Sequence, residues 1–173
     1  VYSDMLAASR ALFSNSCGIA CILGTGSNTS FYDGRHNHEI RFSSGYIFGD
    51  EGSGFDLGKQ FLTYYFNNKI PLEIKNDFEL QFNIDKHSLL AKIYSLNNPK
   101  SYIASFSKFL FNYRYTPLIS QIINNSILNF LNTNPFLYEN YNQYEFGFIG
   151  SISYYYKDFI AKIMNDRSIK FKI

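Results

Sequence analysis

The sequence predicts an α/β fold: a mixed sheet flanked by helices, with a helical insertion over about residues 76–133. Three observations carry this. Strand-length apolar runs alternate with stretches of helical period, as where Ile19-Ala20-Cys21-Ile22-Leu23 precedes the Leu57, Phe61, Leu62, Tyr65 pattern. Glycine turns close two of the strand-like runs, at Gly24-Thr25-Gly26-Ser27-Asn28 and at Gly150-Ser151. An Asp33-Gly34 pair between strand-like runs signals a hairpin, which makes the sheet mixed rather than purely parallel.

Taken in order, Tyr2 to Phe13 reads as a helix, with Asp4 near its start where a carboxylate can cap free N–H groups. Residues 18–23 form a continuous apolar run of buried-strand character. The hairpin turns at Asp33-Gly34 and returns over about 37–42. Gly45-Tyr46-Ile47-Phe48-Gly49-Asp50-Glu51-Gly52-Ser53-Gly54 is an acidic, glycine-rich turn feeding a helix of about 54–67. From there the pattern is mostly helical. Asp85 caps a helix carrying Leu89, Leu90, Ile93 and Tyr94. Asn98-Pro99 is a cap followed by proline at the first helical position, before the stripe Tyr102, Ile103, Phe106, Leu110, Tyr113. Thr116-Pro117 repeats the device ahead of Ile119, Ile122, Ile123, Ile127, Phe130 and Leu131. Tyr144 to Ile149 reads as a strand, Ile152 to Met164 as one helix, and Ile169 to Ile173 as a last strand.

The length, 173 residues, suits one domain with a sizeable core, and 46% apolar with 17% charged residues is a globular composition. The net charge of +2 and the scattered basic residues describe no phosphate-tracking face, so no nucleic acid is expected as partner. Apolar runs fall far short of the roughly 18 residues of a membrane span. Val1-Tyr2-Ser3-Asp4 has no initiator Met, charged n-region or apolar h-region, which predicts a fragment without a signal peptide. Cys17 and Cys21 would lie on one strand face, about 13 Å apart and beyond bridging distance. They read as buried thiols of a reducing cytoplasm.

The two glycine turns, about 25 residues apart, suggest one site built from both. Glycine alone takes positive φ without steric cost. The free N–H groups and positive dipole end of the helix after Gly54 would favour an anionic or hydroxyl-rich ligand. Ligands in such sheets bind beyond the carboxyl ends of strands, where these turns fall.

Three segments, Ile22-Leu23-Gly24-Thr25-Gly26-Ser27-Asn28, Gly45 to Gly54 with Leu57-Gly58, and Gly147-Phe148-Ile149-Gly150-Ser151-Ile152, resemble in order and spacing the N-acetylglucosamine kinase and BadF/BadG-type ATPase family of the sugar kinase, Hsp70 and actin superfamily. The resemblance spans most of residues 1–165. It implies a ribonuclease-H-like, actin-like ATPase domain, here the C-terminal one of two. It also implies ATP and Mg²⁺ as cofactors, a small-molecule sugar as substrate, the protein's own N-terminal domain as partner, and room for a homodimer. Residue by residue, it makes Asp4 the catalytic base and Gly24, Thr25, Gly26 and Ser27 the phosphate loop. Asp50, Glu51 and Gly45 fall on the sugar side, and Gly150 and Ser151 on the adenosine side. Where some members carry Gly-Trp before the acidic turn, this chain has Ser43-Ser44, so an aromatic platform is lost.

Plainer readings stand beside these. Asp4 is also an ordinary helix cap, and Asp50-Glu51 a solvated helix start. His36 and His38 read as a solvated strand end rather than a metal pair, His87 as a surface residue, and Tyr154-Tyr155-Tyr156 as core plus rim. Two rival functions share the same residues: a BadF-type ATPase activator, and a non-catalytic sugar- or nucleotide-binding protein.

Overall fold

A computed structural model describes residues 4–40, 42 and 44–173. Tyr2 and Ser3, at the expected start of the first helix, lie outside the described residues, as do Arg41 and Ser43. Helix α1 (Asp4–Phe13) leads into strand β1 (Gly18–Leu23), which turns back through Gly24, Thr25 and Gly26 into β2 (Ser27–Tyr32). These two strands pair antiparallel, from Leu23 opposite Ser27 to Gly18 opposite Tyr32. Strand β3 (Asn37–His38) continues the antiparallel pairing on the outer edge of β2. Six helices follow: α2 (Gly45–Phe48), α3 (Gly54–Phe66), α4 (Leu72–Phe82), α5 (Lys86–Ser95), α6 (Pro99–Asn112) and α7 (Pro117–Thr133). The chain then adds β4 (Phe146–Ile149) parallel to β1, helices α8 (Ser151–Tyr155) and α9 (Lys157–Asn165), and β5 (Phe171–Lys172) parallel to β4. The sheet order is β3-β2-β1-β4-β5, so the sheet is mixed.

The period-two alternation of β1 divides the core. Ile19, Cys21 and Leu23 face the larger cluster, with α3, α6, α7 and α9, while Ala20 joins Met5, Phe13 and Tyr32 under α1. Helix α1 lies close because glycines sit beneath it. A Cβ on Gly18 would fall 2.4 Å from the Phe13 ring, and one on Gly147 2.8 Å from Leu12. Phe13 therefore marks the Gly18 end of β1. A ten-residue helix of about 15 Å running back along a strand of about 20 Å directs Asp4 toward the Leu23 end.

The helical half packs by the same logic. A Cβ on Gly58 would lie 2.1 Å from the Ile103 carbonyl oxygen, so α3 and α6 meet at backbone distance. Around that contact Phe61, Phe78, Phe106 and Phe109 pack edge-to-face or tilted at 4.9–5.8 Å, geometry that favours aromatic quadrupoles. Asp85 caps α5 in a capping box with Ser88, and Asn98 caps α6 by accepting the Lys100 amide. Thr116 makes no side-chain cap for α7, where Pro117 starts the helix.

Several elements depart from the sequence reading. Among the described residues, the return strand expected over 37–42 pairs at Asn37 and His38 alone. There the Tyr138 hydroxyl takes over, accepting from the Ile40 amide at 3.3 Å and donating to the His38 carbonyl at 2.9 Å. The single helix expected over 152–164 breaks at Tyr156, whose buried ring anchors its hydroxyl on the Ser107 carbonyl at 2.6 Å. Helix α4, with Ile74 and Phe78 buried one turn apart, was implicit only in the general helical pattern, and the short α2 lies inside the stretch read as a turn. The last strand pairs only at Phe171 and Lys172. Cys17 is exposed in the turn before β1 rather than buried; Cys21 is buried, and both thiols are free. Burial pushes the Cys21 thiol up to about 12, with a contact to Thr29 opposing the shift, so it is unreactive at neutral pH. Among the described residues no helix is long and apolar enough to cross a membrane.

The α3–α6 contact has a direct test. Gly58→Ala forces a methyl into the Ile103 carbonyl, and overpacking of this kind costs about 1–3 kcal/mol. A thermal melt of the full-length protein should show the loss as a transition lower by several degrees, and an unchanged melt would reject the close contact.

Candidate functional site

The site forms where parallel strands end together. Ile22 stands opposite Ile149, so the chain leaves β1 and β4 at the same sheet edge. The Gly24–Gly26 turn closes there with the Gly24 amide donating to the Gly26 carbonyl at 2.9 Å. Beside it the chain turns at Gly150, with φ +114, where a Cβ would fall 2.4 Å from the Leu23 carbonyl oxygen. Only glycine lets the Gly150-Ser151 turn rest against the base of the first loop.

The acidic turn docks onto this edge through backbone bonds. The Gly54 amide donates to the Gly24 carbonyl at 2.8 Å, and the Phe55 amide to the Thr25 carbonyl at 3.3 Å. The sequence reading expects the first N–H groups of α3 to face a ligand; these two instead hold the neighbouring loop. Donors facing outward remain on that loop. The Thr25 and Gly26 amides donate to no acceptor among the described residues, and Thr25 is exposed. Behind the turn, buried Asp56 fixes its shape. Asp56 accepts from the Gly52 amide at 3.3 Å, Gln60 Nε2 at 3.0 Å and Ser126 Oγ at 2.6 Å, tying turn, α3 and α7 together.

Asp50 sits at the junction. Its φ is +60, a left-handed conformation that Asp tolerates better than most residues. Oδ1 accepts the Ser27 amide at 3.0 Å, and the Lys100 ammonium lies 2.6 Å from Oδ2. That contact is an ion pair out of line for a hydrogen bond, so the buried Oδ2 has no aligned donor among the described residues. A polar cleft opens here, lined among others by Ser27, Asn28, Ser44, Asp50, Glu51 and Asn134. A second cleft, of about 190 Å³, lies on the other side of the loop between Gly24, Thr25, Ser101, Ser105, Lys108 and Ser151.

Of the residues singled out from sequence, Gly24, Thr25, Gly26 and Ser27 form the loop between the clefts; Asp50 and Glu51 line the first cleft and Ser151 the second, with Gly150 packed on the Leu23 backbone beside it. Asp4 is exposed at the end of α1 directed toward this edge. Gly45 is exposed with φ +67 and open space around its Cα, at the start of α2. His36 and His38 stand apart, around Asp33. The 2.7 Å contact from His38 Nε2, then the His36 and Arg35 amides, hold the Asp33 carboxyl below the usual carboxylate range. Among the described residues no group of three His, Cys, Asp or Glu is set to hold a metal ion.

Sequence reasoning missed Lys100, Lys108, Asp56 and Asn134. Lys100 carried one signal: a cation in the first turn of a helix opposes the macrodipole, and α6 has no acidic residue there to offset it.

A mixed α/β sheet with glycine loops and two polar clefts at one edge is the class of protein that this geometry defines. No family model matches the chain, and no curated protein matches it. Among solved structures it is similar to the "Putative N-acetylglucosamine Kinase" of Porphyromonas gingivalis, at 33% sequence identity and a TM-score of 0.92, over 97% of this chain and 59% of that one. It also shares its fold with the "Putative N-acetylglucosamine Kinase" of Chromobacterium violaceum, at 17% identity and a TM-score of 0.69, over 96% of this chain and 58% of that one. The chain spans less than two thirds of the length of either.

The contact between the two glycine loops predicts the effect of Gly150→Ala. It adds a clash with the Leu23 carbonyl to a backbone strain of about 1–3 kcal/mol, since φ +114 and ψ 167 form a region that is nearly glycine-only, and should lower the melting temperature by several degrees. Gly45→Ala meets only the strain and should lose less. Equal losses at both positions would show that the loops do not press together.

Proposed function

We propose that this chain is the C-terminal domain of an ATP-dependent sugar kinase of N-acetylglucosamine type, in the ribonuclease-H-like, actin-like ATPase class, acting in the cytoplasm. One observation carries the reading: a turn whose Thr25 and Gly26 amides meet no acceptor among the described residues separates a carboxylate-lined cleft from a hydroxyl-lined one. Phosphoryl transfer needs a sugar on one side of such a turn and a nucleotide on the other. The name carried by the Porphyromonas relative, alike over 97% of this chain, supports the same choice.

In this reading the first cleft, about 20 Å³ within this domain, is the floor of the sugar site, which the N-terminal domain would complete. Asp50 and Glu51, which line it, accept charge-assisted hydrogen bonds from the sugar's hydroxyls. The second cleft takes ATP, with Gly150 and Ser151 beside the adenosine. The Thr25 and Gly26 amides and the Thr25 hydroxyl meet the phosphoryl group in transfer, where oriented donors act on the charge that spreads over its oxygens. The sugar 6-hydroxyl attacks the γ-phosphorus, and its O–H bond breaks toward the Asp4 carboxylate. The new P–O bond forms as the bond to the β-phosphate oxygen breaks, and ADP leaves. Mg²⁺ would neutralise charge on the phosphates, and its ligands would come mainly from the N-terminal domain, the partner across the cleft.

The full-length protein should release ADP only when an amino sugar such as N-acetylglucosamine is present, with a sugar phosphate as product. Hydrolysis independent of sugar would favour an ATPase activator, and sugar binding without turnover a binding protein. Asp4→Asn should slow turnover by about 10²–10⁴-fold, the usual contribution of a general base, with both ligands still bound. Asn caps a helix as well as Asp does, so turnover within a few-fold of the parent would remove Asp4 from the mechanism.

A further inference from the structure

Resting on the kinase reading, we propose that Lys100 is the cation that meets the phosphoryl group in transfer over the Thr25–Gly26 turn, with Asp50 and Tyr46 holding its ammonium in place. The ammonium already stands against the turn: a Cβ on Gly26 would lie 2.7 Å from Lys100 Nζ and 2.9 Å from either Asp50 carboxylate oxygen. Glycine at position 26 therefore leaves room for a charged side chain rather than for a backbone bend alone.

The charge balance of the site demands such a group. Asp50 and Glu51 put two carboxylates beside a turn whose free donors are neutral amides. A phosphoryl group in transfer carries negative charge on its three equatorial oxygens, which those carboxylates repel. Lys100 is the cation in contact with both the turn and Asp50. Its side chain is 26% exposed and that of Asp50 7%, so the pair is largely out of water, where an uncompensated charge is costly. The Tyr46 ring lies 6.0 Å from Nζ and adds a weak cation–π contact.

Position in the fold points the same way. Lys100 occupies the first turn of α6, where the helix dipole disfavours a cation and favours an anion. A bound phosphate resolves the conflict, lying near both the ammonium and the positive end of the helix. Ser101 and Ser105 of the same helix start line the second cleft. Lys100 thus directly precedes Ser101 of the second cleft in sequence, while its ammonium contacts Asp50 of the first.

The test compares ligands that differ by one phosphoryl group, in the full-length protein. Calorimetry with ADP and with the non-hydrolysable analogue AMP-PNP needs no turnover, so it is independent of whether a sugar is phosphorylated. Lys100→Met should weaken AMP-PNP roughly tenfold or more, the scale of a charged hydrogen bond, and ADP by no more than a few-fold. Lys100→Arg should recover part of the loss, and Lys100→Gln takes the place of Lys100→Met should the latter not fold. With sugar present, Lys100→Met should lower kcat by about 10²–10³-fold and leave the sugar KM within a few-fold. The double variant Lys100→Met with Asp50→Asn restores neutrality but not the phosphate contact, and should still bind AMP-PNP weakly. Equal losses for ADP and AMP-PNP, no loss for either, or recovery of AMP-PNP affinity in the double variant would overturn the proposal. A parent protein that binds both nucleotides yet phosphorylates no sugar would overturn the kinase reading instead.

Discussion

The hydrogen bond from the Gly54 amide to the Gly24 carbonyl joins the tip of the β1–β2 hairpin to the start of α3, and the geometry of both clefts depends on it. It consumes a helix-start donor that is otherwise free for a ligand, and so transfers the ligand-facing role to the Thr25 and Gly26 amides. The close fit is on the Gly54 side: a Cβ there would lie 3.4 Å from the Gly24 carbonyl oxygen, whereas one on Gly24 would meet nothing nearer than 3.9 Å. A Cβ on Gly54 would already press on the Ala104 carbonyl and the Ser107 hydroxyl at 3.3 Å. With this contact made, Asp50 has little freedom: Gly49 and Gly52 flank its short turn, and its carboxylate falls between the Ser27 amide and Lys100.

The helical half serves as the platform that presses the acidic turn onto the sheet. Close approach of α3 and α6 at Gly58 brings the start of α6 to the hairpin tip. The Asp56 bonds to Gly52, Gln60 and Ser126 carry the position of α7 into the same turn. Each donor to this buried carboxylate offsets part of its desolvation, since an unpaired buried charge is far costlier than the net value of the bonds. The arrangement makes the turn rigid, as sites on packed elements are better held than sites on free loops.

Much of the chain was legible because its signals are local. The Asp85 cap, the Asn98-Pro99 helix start, the Ile119 to Leu131 stripe and the Asp33-Gly34 turn depend on neighbours within a few residues, and each stands in the structure. The failures came where a distant residue intervened. The Tyr138 hydroxyl, about 100 positions away, takes the His38 carbonyl and the Ile40 amide just beyond the β3 pairing. Tyr156 breaks the last long helix around its bond to Ser107, 49 positions off. Cys17 looked buried by its spacing from Cys21, but β1 begins only at Gly18 and the thiol stays outside.

The candidate site divides along the same line. Its glycines and carboxylates stood out in the sequence, because four glycines in ten residues beside Asp50-Glu51 are unusual chemistry for any local structure. That the two glycine turns come together was also readable, from strand ends that must share a sheet edge. Which donors face outward was not, since it depends on the docking of α3 onto the hairpin tip. Nor was Lys100, which is separated from Asp50 by 50 positions and three whole helices, α3 to α5. By itself the sequence determined elements, turns and the chemical types at one sheet edge, through periodicity and backbone freedom. Only the tertiary structure decided which amides remain free and which cation lies against the loop, because both are set by backbone contacts between segments far apart in the chain.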